Sequence, residues 1–405
     1  MMNSSDLNEK CRKWLKTLCV DIKERTTGSQ GNRDATRFFR EHLEALGWET
    51  ESQGFEAVDW IDGGATFHAG NKEFNVLVSP WSTGCSVKAE LESASTISEL
   101  ENRDFKGKII LLHGEIAGEQ LMPKNFVFYN PESHQRIISL LENSGAKAII
   151  CATGRNAALA GGAYPFPLIE DGDFNVPSVY MTEEEGKRLR GFSGKEVILD
   201  SRSERIPGKG YNVTGRKGKQ GTDRIVITAH IDSKKGSPGA IDNATGVVIM
   251  LLLAGLLKDY SGKRQIEIVA FNGEDYYSVP GQMAWIMANQ GKFENILFNI
   301  NIDGAGYKEG KSAFSYYDLP DPVRDIVSRV IEKHPGITEG KPWPQGDHSI
   351  FLHYGRPAIA ISSEWFIENV NSQDITHTPK DNIGIVDFGK LAEIAAALSD
   401  LITIA

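Results

Sequence analysis

The sequence predicts an α/β fold with a mainly parallel central sheet and a β-rich region inserted into it. After Arg205, strand and helix candidates alternate, a pattern typical of strands joined by crossover helices. The strands there are continuous apolar runs such as RIVITAH and QIEIVAF, which indicates burial on both faces of a parallel sheet. Between Gly63 and Arg205, short strand candidates predominate instead. We therefore expect one domain built from residues 1–63 and 204–405, and a second from residues 64–203.

The composition is that of a globular chain able to form a large core. Its 405 residues correspond to two or three domains of ~150 residues, with 40% hydrophobic and 24% charged residues. The net charge of −10 argues against nucleic acid or an anionic membrane as the main partner, because both attract basic surfaces. The N-terminus shows no secretory apolar core, and the longest apolar stretch, residues 247–257, is too short to span a bilayer. With four scattered cysteines and no CxxC pair, these features favour a cytoplasmic protein with reduced thiols.

The first 47 residues predict two helices. Apolar side chains recur at helical spacing around Phe39 and Leu43, and the segment TTGSQGNRD separates this second helix from a first one over residues 6–24. Gly47 supplies a C-cap, after which WETESQGFEAV is predicted to be extended.

Residues 64–203 predict mostly short strands, from ATFHAG to EVILDSRS, together with the helices ESHQRIISLLENSG and TEEEGKRLRG. This part of the sequence holds no cluster of His, Cys or carboxylate residues. A structural or substrate-shaping role is therefore predicted for it.

The part after Arg205 predicts four buried strands, and their ends carry side chains that can bind metal. In open α/β sheets, chemistry takes place beyond the carboxyl ends of the strands. The side chains at these ends and in the adjoining loops are His230, Asp232, Asp242, Glu274, Asp275, Asp303 and His377. Imidazole nitrogen and carboxylate oxygen are ligands that Zn²⁺ accepts, so the sequence predicts a zinc site at this edge of the sheet.

Each of these residues also has an ordinary structural explanation when it is taken alone. Asp242 suits a helix N-cap, Asp303 before a glycine suits a turn, and adjacent Glu–Asp pairs are usually solvated. Their common position at the strand ends is what points to a shared site.

The ordered motifs TAHIDS, GAIDNATGV, FNGED, NIDGAG and THTPKD resemble family 28 of the zinc metallopeptidases. The N-terminal TTGSQGNRDATRFFREHLEALGWE and the later GDHSIFLHYGRPAIAI are similar to further segments of that family. The middle region, with GKIILLHG, SGAKAIICAT and VPSVYM, resembles the protease-associated domain that many members carry as an insertion. The resemblance implies a phosphorylase/hydrolase-like zinc exopeptidase fold with a protease-associated-like insert at residues 64–203.

The resemblance also implies a role for each residue at the strand ends. The ligands of two Zn²⁺ ions are expected to be His230, Asp242, Asp275, Asp303 and His377. Asp242 would bridge both ions, Glu274 would act as general base toward a metal-bound water, and Asp232 would orient the imidazole of His230. The family commonly has Glu–Glu where this chain has Glu274–Asp275. Because aspartate is one methylene shorter, we predict weaker binding of the ion held by Asp275.

The predicted function is that of a co-catalytic zinc exopeptidase, an aminopeptidase that removes N-terminal residues from peptides. Peptides are the expected partners, and the sequence leaves a homo-oligomer open. The alternatives are a carboxypeptidase or dipeptidase of the same family, a glutaminyl-cyclase-like acyltransferase, and a non-catalytic binding protein on the peptidase scaffold. The Asp347–His348 pair is a candidate for a supporting role. Five aromatic residues are candidates for an apolar pocket or for core packing: Tyr276, Tyr277, Trp343, Trp365 and Phe366.

Overall fold

A computed structural model describes residues 4–155, 160–221 and 223–404, without the side chains of Ser4 and Ser5. The chain forms two compact units. Unit 1 consists of Met1–Ala57 and Lys209–Ala405, and unit 2 of Val58–Gly208. Each unit contains helices and a mixed sheet, which confirms the α/β class. The domain limits predicted above, with an insert at residues 64–203, stay a prediction.

Strands and helices are distributed along the whole of the described chain. The strands, in chain order, are β1 (Glu49–Ile61), β2 (Ala65–Ala69), β3 (Lys72–Phe74), β4 (Leu77–Val78), β5 (Cys85–Ala94), β6 (Ile109–Leu112), β7 (Ala148–Thr153), β8 (Ser178–Thr182), β9 (Glu196–Ser201), β10 (Glu204–Gly218), β11 (Arg224–His230), β12 (Gln265–Phe271), β13 (Ile296–Ile302), β14 (Ser312–Tyr317), β15 (Ile337–Glu339) and β16 (Ala358–Ser363). The α-helices are α1 (Ser4–Lys16), α2 (Gln30–Ala45), α3 (Ile97–Asn102), α4 (Glu132–Asn143), α5 (Glu183–Leu189), α6 (Thr245–Leu256), α7 (Pro280–Ala288), α8 (Asp321–Lys333), α9 (His348–His353), α10 (Glu364–Glu368) and α11 (Phe388–Ile404). Short π turns cover Thr17–Asp21 and Ala240–Ala244.

The first sheet has the strand order β1-β10-β12-β11-β13-β16-β14-β15. Its four central strands, β12, β11, β13 and β16, run parallel to one another. On either side, β10 and β14 are antiparallel to their inner neighbours, so the sheet is mixed. The four buried strands predicted from the sequence are the central ones. The predicted strands do not include β10, β14 and β15, because these are partly polar or short and lack a continuous apolar run.

The core of unit 1 packs on the central strands. Helix α6 is almost entirely buried, which explains why its sequence is apolar on all faces. Glu267 on β12 is among the charged residues buried in this unit, and it accepts hydrogen bonds from Arg216 Nε at 3.0 Å and from Arg224 Nη1 at 3.2 Å. The predicted break between the two N-terminal helices is confirmed, with Ser29 capping α2 through the backbone N–H of Asn32.

Unit 2 holds the second sheet, in the order β3-β2-β9-β5-β6-β7-β8-β4. Strands β5, β6, β7 and β8 are parallel, and the flanking pairs are antiparallel. Helices α3, α4 and α5 lie in this unit. Within the described part of the chain, no helix has the length and apolar character needed to cross a membrane. The four cysteines are unpaired.

Candidate metal centre

The candidate site lies at the carboxyl ends of three neighbouring parallel strands. Strand β11 ends at His230, and residues 273–275 follow the end of β12. Asp303 follows the end of β13. Because parallel neighbours end at one edge of the sheet, these segments converge there.

Two further residues reach this edge from loops. Asp242 lies in the π turn before α6 with non-helical backbone angles. The N-cap of α6 is Ala244, so Asp242 is not the helix N-cap that its position before an apolar helix allowed. His377 lies in the loop between α10 and α11, with φ of 63°, a left-handed conformation that is uncommon outside glycine. Such conformations persist where the surrounding structure holds them, and they are frequent at functional sites.

The two carboxylate oxygens of Asp242 face two different imidazoles. Its Oδ1 lies 3.0 Å from Nε2 of His230, and its Oδ2 lies 3.1 Å from Nε2 of His377. Asp303 Oδ1 is 3.6 Å from the same nitrogen of His230, and Asp275 Oδ1 is 3.3 Å from that of His377. The structure thus brings together all five predicted ligands as two groups of three, which share Asp242.

Glu274 stands beside both groups and is partly exposed to solvent. A carboxylate oxygen of Glu274, a ring nitrogen of His230 and an oxygen of Asp275 lie within 4.8 Å of one another. Burial raises the pKa of Glu274 well above its ordinary value, and the charges of Asp275 and Asp303 add to this effect against the opposing charge of His230. A carboxyl group in this position is suited to accept and release a proton.

The carboxylates dominate the electrostatics of the two imidazoles. Burial alone lowers the pKa of His230, but Asp303, Asp232 and Asp242 outweigh it and hold that pKa well above the ordinary value. The pKa of His377 is raised in the same way, against burial, by Asp275 and Asp242. The carboxylates therefore favour positively charged imidazoles, and in the absence of metal this charge comes from protons on His230 and His377.

A metal ion fits the unsatisfied polar atoms of this cluster. Both ring nitrogens of His230, which is 1% exposed, lack a partner with hydrogen-bond geometry despite the nearby carboxylates, and Oδ2 of buried Asp275 also lacks one. Buried polar atoms of this kind are rare unless an ion or water satisfies them. A mixed set of imidazole and carboxylate donors matches the ligands of Zn²⁺.

Asp232 is buried and holds the segment that carries Glu274 and Asp275. Its carboxylate accepts hydrogen bonds from the backbone N–H groups of residues 273, 274 and 275 at 2.8, 3.3 and 3.1 Å. The Thr27 hydroxyl lies 3.1 Å from the same carboxylate. Its Oδ1 is 3.6 Å from Nδ1 of His230, longer than a hydrogen bond, so the orienting role predicted for Asp232 stays a prediction.

Two supporting residues were not identified from the sequence. Asp381 accepts hydrogen bonds from the backbone N–H of Ile241 at 2.7 Å and of Asp242 at 3.1 Å. Burial and the charge of Asp242 raise the pKa of Asp381 to about 7. Arg25, only 2% exposed, donates to main-chain carbonyls at Leu18, Ile231, Pro238 and Gly239. The motif THTPKD contains Asp381 but does not indicate its partners, and a lone arginine after a helix gives no signal of this kind.

The other candidates lie in the surroundings of the site. Asp347 is buried and accepts a hydrogen bond from Gln282 Nε2 at 3.0 Å, and burial raises its pKa to about 7. The rings of Tyr276 and Tyr277 are buried 4.5 Å apart. The remaining three aromatic candidates contact other rings: Trp343 contacts His348, whereas Trp365 and Phe366 both contact Tyr307.

Comparison with known proteins places these residues in a defined family context. Residues 212–402 match the model of Peptidase family M28, and this segment includes the five candidate ligands and Glu274. Aminopeptidase YwaD of Bacillus subtilis is 25% identical over 276 residues, which is 65% of this chain. The chain spans 57% of the length of that relative. Residues 212–402 are therefore similar to Peptidase family M28, and the longer alignment is similar to an aminopeptidase.

Two solved structures share the fold across nearly the whole chain. An aminopeptidase from Aneurinibacillus sp. strain AM-1 superposes with a TM-score of 0.74 and 20% identity, covering 98% of this chain and 93% of its own. BSAP, a zinc aminopeptidase from Bacillus subtilis, gives a TM-score of 0.75 and 18% identity, covering 98% and 94%. The mixed α/β fold of this chain is therefore that of known aminopeptidases.

Proposed function

We propose that this protein is a co-catalytic zinc aminopeptidase, which hydrolyses peptides at their N-terminal residue. The observation that carries the proposal is the position of Asp242, whose two oxygens face His230 and His377 at 3.0 and 3.1 Å. A carboxylate between two imidazoles, each with one further carboxylate beside it, is suited to two ions that share one bridging ligand. The M28 match and the aminopeptidase relative support the same reaction class.

Each side chain has a place in this mechanism. His230 and Asp303 would hold one Zn²⁺, Asp275 and His377 the other, and Asp242 both. When bound, the two ions supply Lewis-acid polarisation of the scissile carbonyl and stabilise the negative charge that develops on its oxygen.

Glu274 is assigned to proton transfer in this mechanism. Its carboxylate accepts a proton from the attacking water and returns it to the amine of the leaving peptide. Because Glu274 belongs to neither of the two groups that share Asp242, it remains available for this step. The hydrogen bonds from the backbone of residues 273–275 to Asp232 keep the Glu274 side chain next to the ligands.

The surroundings favour recognition of an amine over recognition of a carboxylate. Four carboxylates meet at the strand ends, Asp242, Glu274, Asp275 and Asp303, and they attract a cationic group. Arg25 is a buried cation near the ligand loops, and its guanidinium donates to main-chain carbonyls. It is therefore not free to bind the carboxylate of a carboxypeptidase substrate.

We further propose that residues 64–203 form a protease-associated-like insert and that the protein is cytoplasmic. The parallel strands of unit 2 and its flanking helices support the first proposal. The free cysteines support the second.

Zinc analysis combined with assays on paired peptides tests the proposed function. We expect about two Zn²⁺ per chain, cleavage of a peptide with a free N-terminus, and no cleavage of its N-acetylated twin. Cleavage of both peptides from the carboxyl end identifies a carboxypeptidase and refutes the proposal. Release of ammonia from an N-terminal glutamine without peptide cleavage identifies a cyclase, and zinc binding with no turnover of any of these peptides favours the binding protein.

A further inference from the structure

Lys390 forms a set of contacts that the proposed mechanism does not use. Its ammonium group donates to the main-chain carbonyls of four consecutive residues, at 2.6 Å for Tyr307, 3.1 Å for Lys308, 3.4 Å for Glu309 and 2.6 Å for Gly310. These four residues are called the carbonyl loop below. An arrangement of several carbonyl oxygens around one cation resembles the oxygen cages that hold bound cations in proteins.

Lys390 occupies this position against the local electrostatics of its helix. It is the third residue of α11, whose N-terminus carries partial positive charge that disfavours a cation. Burial also lowers the pKa of Lys390, and the carboxylates of Asp387, Glu309 and Glu364 act in the opposite direction. The carbonyl contacts offset these costs, so they are the reason that the ammonium group is held there.

The carbonyl loop connects the metal ligand Asp303 to β14 and rests on the segment before α11. Lys308 N donates to Ile385 O at 3.1 Å, and Asp387 N donates to Gly306 O at 2.9 Å. At Gly306, with φ of 87°, a Cβ atom would lie 2.3 Å from Leu391 Cδ2, so only glycine allows this approach.

Through Tyr307, the carbonyl loop reaches the apolar side chains next to the ligands. The Tyr307 ring lies 4.9 Å from that of Trp365 and 5.1 Å from that of Phe366. The same cluster contains Ile241, which precedes Asp242, and Ile375, two residues before His377. One apolar cluster therefore links the loops that carry three of the five candidate ligands.

We infer that Lys390 is a positioning residue, whose ammonium group holds the carbonyl loop and thereby keeps Tyr307 in the apolar cluster beside the metal centre. Without the ammonium group, four carbonyl oxygens would face one another with no donor between them, and the loop would move apart. Asp303 would stay in place, because its own N–H donates to Ile361 O at 2.8 Å and Ser363 Oγ donates to Gly304 O at 2.7 Å. The effect of losing Lys390 should therefore fall on substrate binding and leave the metal content unchanged.

Hydrogen exchange tests this inference without any assay of activity. Lys390→Met keeps the unbranched aliphatic stem, one heavy atom shorter, and removes the charge, and Lys308→Met removes the same charge from an exposed position of the same loop. The amides of Tyr307, Lys308 and Lys311 donate to Ser363 Oγ, Ile385 O and Glu364 Oε2. We expect them to exchange roughly tenfold faster or more in Lys390→Met, because the loop that carries them loses its hydrogen bonds to a charged group. In Lys308→Met, as in the unaltered protein, exchange should stay slow. Unchanged exchange in Lys390→Met overturns the inference.

Chemical rescue distinguishes the cation from the rest of the side chain. Lys390→Ala leaves room for a small cation, whereas Lys390→Met fills the same space. Ammonium chloride should slow the exchange of the loop in Lys390→Ala and not in Lys390→Met, with tetramethylammonium chloride as the control for ionic strength. Failure of ammonium to slow exchange in Lys390→Ala shows that the charge is not what holds the loop, and it overturns the inference.

The kinetic effect rests on the proposed aminopeptidase function. For a peptide with an apolar N-terminal residue, Lys390→Met should raise KM roughly tenfold while kcat changes by less than about threefold and zinc content stays constant. Loss of zinc in parallel with activity would instead mean that Lys390 acts on Asp303, which contradicts the inference. If the unaltered protein cleaves no peptide, the proposed function fails, while the exchange and rescue experiments still decide the role of Lys390.

Discussion

Replacement of Glu274 by glutamine tests whether this residue transfers a proton while its neighbour Asp275 binds metal. Glu274→Gln keeps the shape of the side chain but cannot accept a proton. Removal of a general base typically lowers turnover by ~10²–10⁴, equivalent to about 2.7–5.4 kcal/mol of transition-state stabilisation. We expect this loss in kcat, little change in KM, and full zinc content, since Asp242 completes both groups of ligands without Glu274.

The matched control is Asp275→Asn, which removes the same charge one residue further along the chain. Asp275 Oδ1 lies 3.3 Å from His377 Nε2, so this variant should lose one zinc ion together with activity. The assay combines zinc analysis after gel filtration with steady-state kinetics on a free-amine peptide. If Glu274→Gln loses zinc while Asp275→Asn keeps it, the roles of the two residues are reversed. Glu274 would then be a ligand, in the group of close ligand atoms that it forms with His230 and Asp275. Near-normal turnover in Glu274→Gln would refute the mechanism.

The same variant makes a prediction about stability. Since burial raises the pKa of Glu274 in the folded, metal-free protein, ionisation of this group opposes folding at any pH above its ordinary value of about 4.3. The destabilisation is absent at lower pH and grows as pH rises toward the raised pKa. Metal-free Glu274→Gln should therefore melt at a higher temperature than the unaltered metal-free protein at pH 8, and the difference should disappear near pH 4. A lower melting temperature at pH 8 would contradict the electrostatic argument.

Three further predictions concern the core, unit 2 and the second metal. Glu267→Gln leaves Arg216 and Arg224 facing a neutral group and should lower the free energy of unfolding by about 3 kcal/mol. Urea denaturation measures this change, and an unchanged midpoint would refute the prediction. Gly186→Ala places a Cβ atom 2.2 Å from Cβ of Ala152 on β7 and should lower the free energy of unfolding by about 1–3 kcal/mol. The control Gly191→Ala adds a Cβ atom with nothing within 4 Å and should leave this free energy unchanged. Asp275→Glu should slow release of the more weakly held zinc ion during stepwise chelation, and equal release rates would show that the length of this side chain does not limit affinity.

The fold class and the central strands were predictable because burial leaves a strong pattern in the sequence. Strands β11, β12, β13 and β16 are buried on both faces and mostly apolar, and α6 is apolar all round. The antiparallel strands β10 and β14 could not be recognised in the same way. Their side chains alternate or mix polar and apolar character, and their place in the sheet depends on partners far along the chain.

The candidate ligands were predictable as a set because each follows a recognisable strand or belongs to a motif. Their pairing was not, since it depends on the turns that aim the side chains. Asp242 faces two imidazoles only because the π turn before α6 has non-helical angles at Asp242 and Asn243. Asp381, which accepts hydrogen bonds from the backbone N–H groups of Ile241 and Asp242 in that turn, lies 139 residues along the chain from Asp242. Contacts of this kind leave no periodic pattern in the sequence.

Arg25 and Lys390 both contact loops next to the candidate ligands, and in these contacts they bind main-chain carbonyls and not the ligand carboxylates. Each lies far along the chain from the loop that it contacts. Arg25 donates to the main-chain carbonyls of residues 231, 238 and 239, and Lys390 donates to those of the carbonyl loop. A cation paired directly with a ligand carboxylate would compete with zinc for the same oxygen atoms. Arg25 acts on carbonyls of the loop before Asp242, and Lys390 acts on the carbonyl loop that follows Asp303. Because neither cation pairs with a candidate ligand carboxylate in these contacts, the carboxylates stay available to metal. The negative charge of the cluster is then balanced by protons on the imidazoles when metal is absent and by the ions when it is bound, so zinc uptake should release protons.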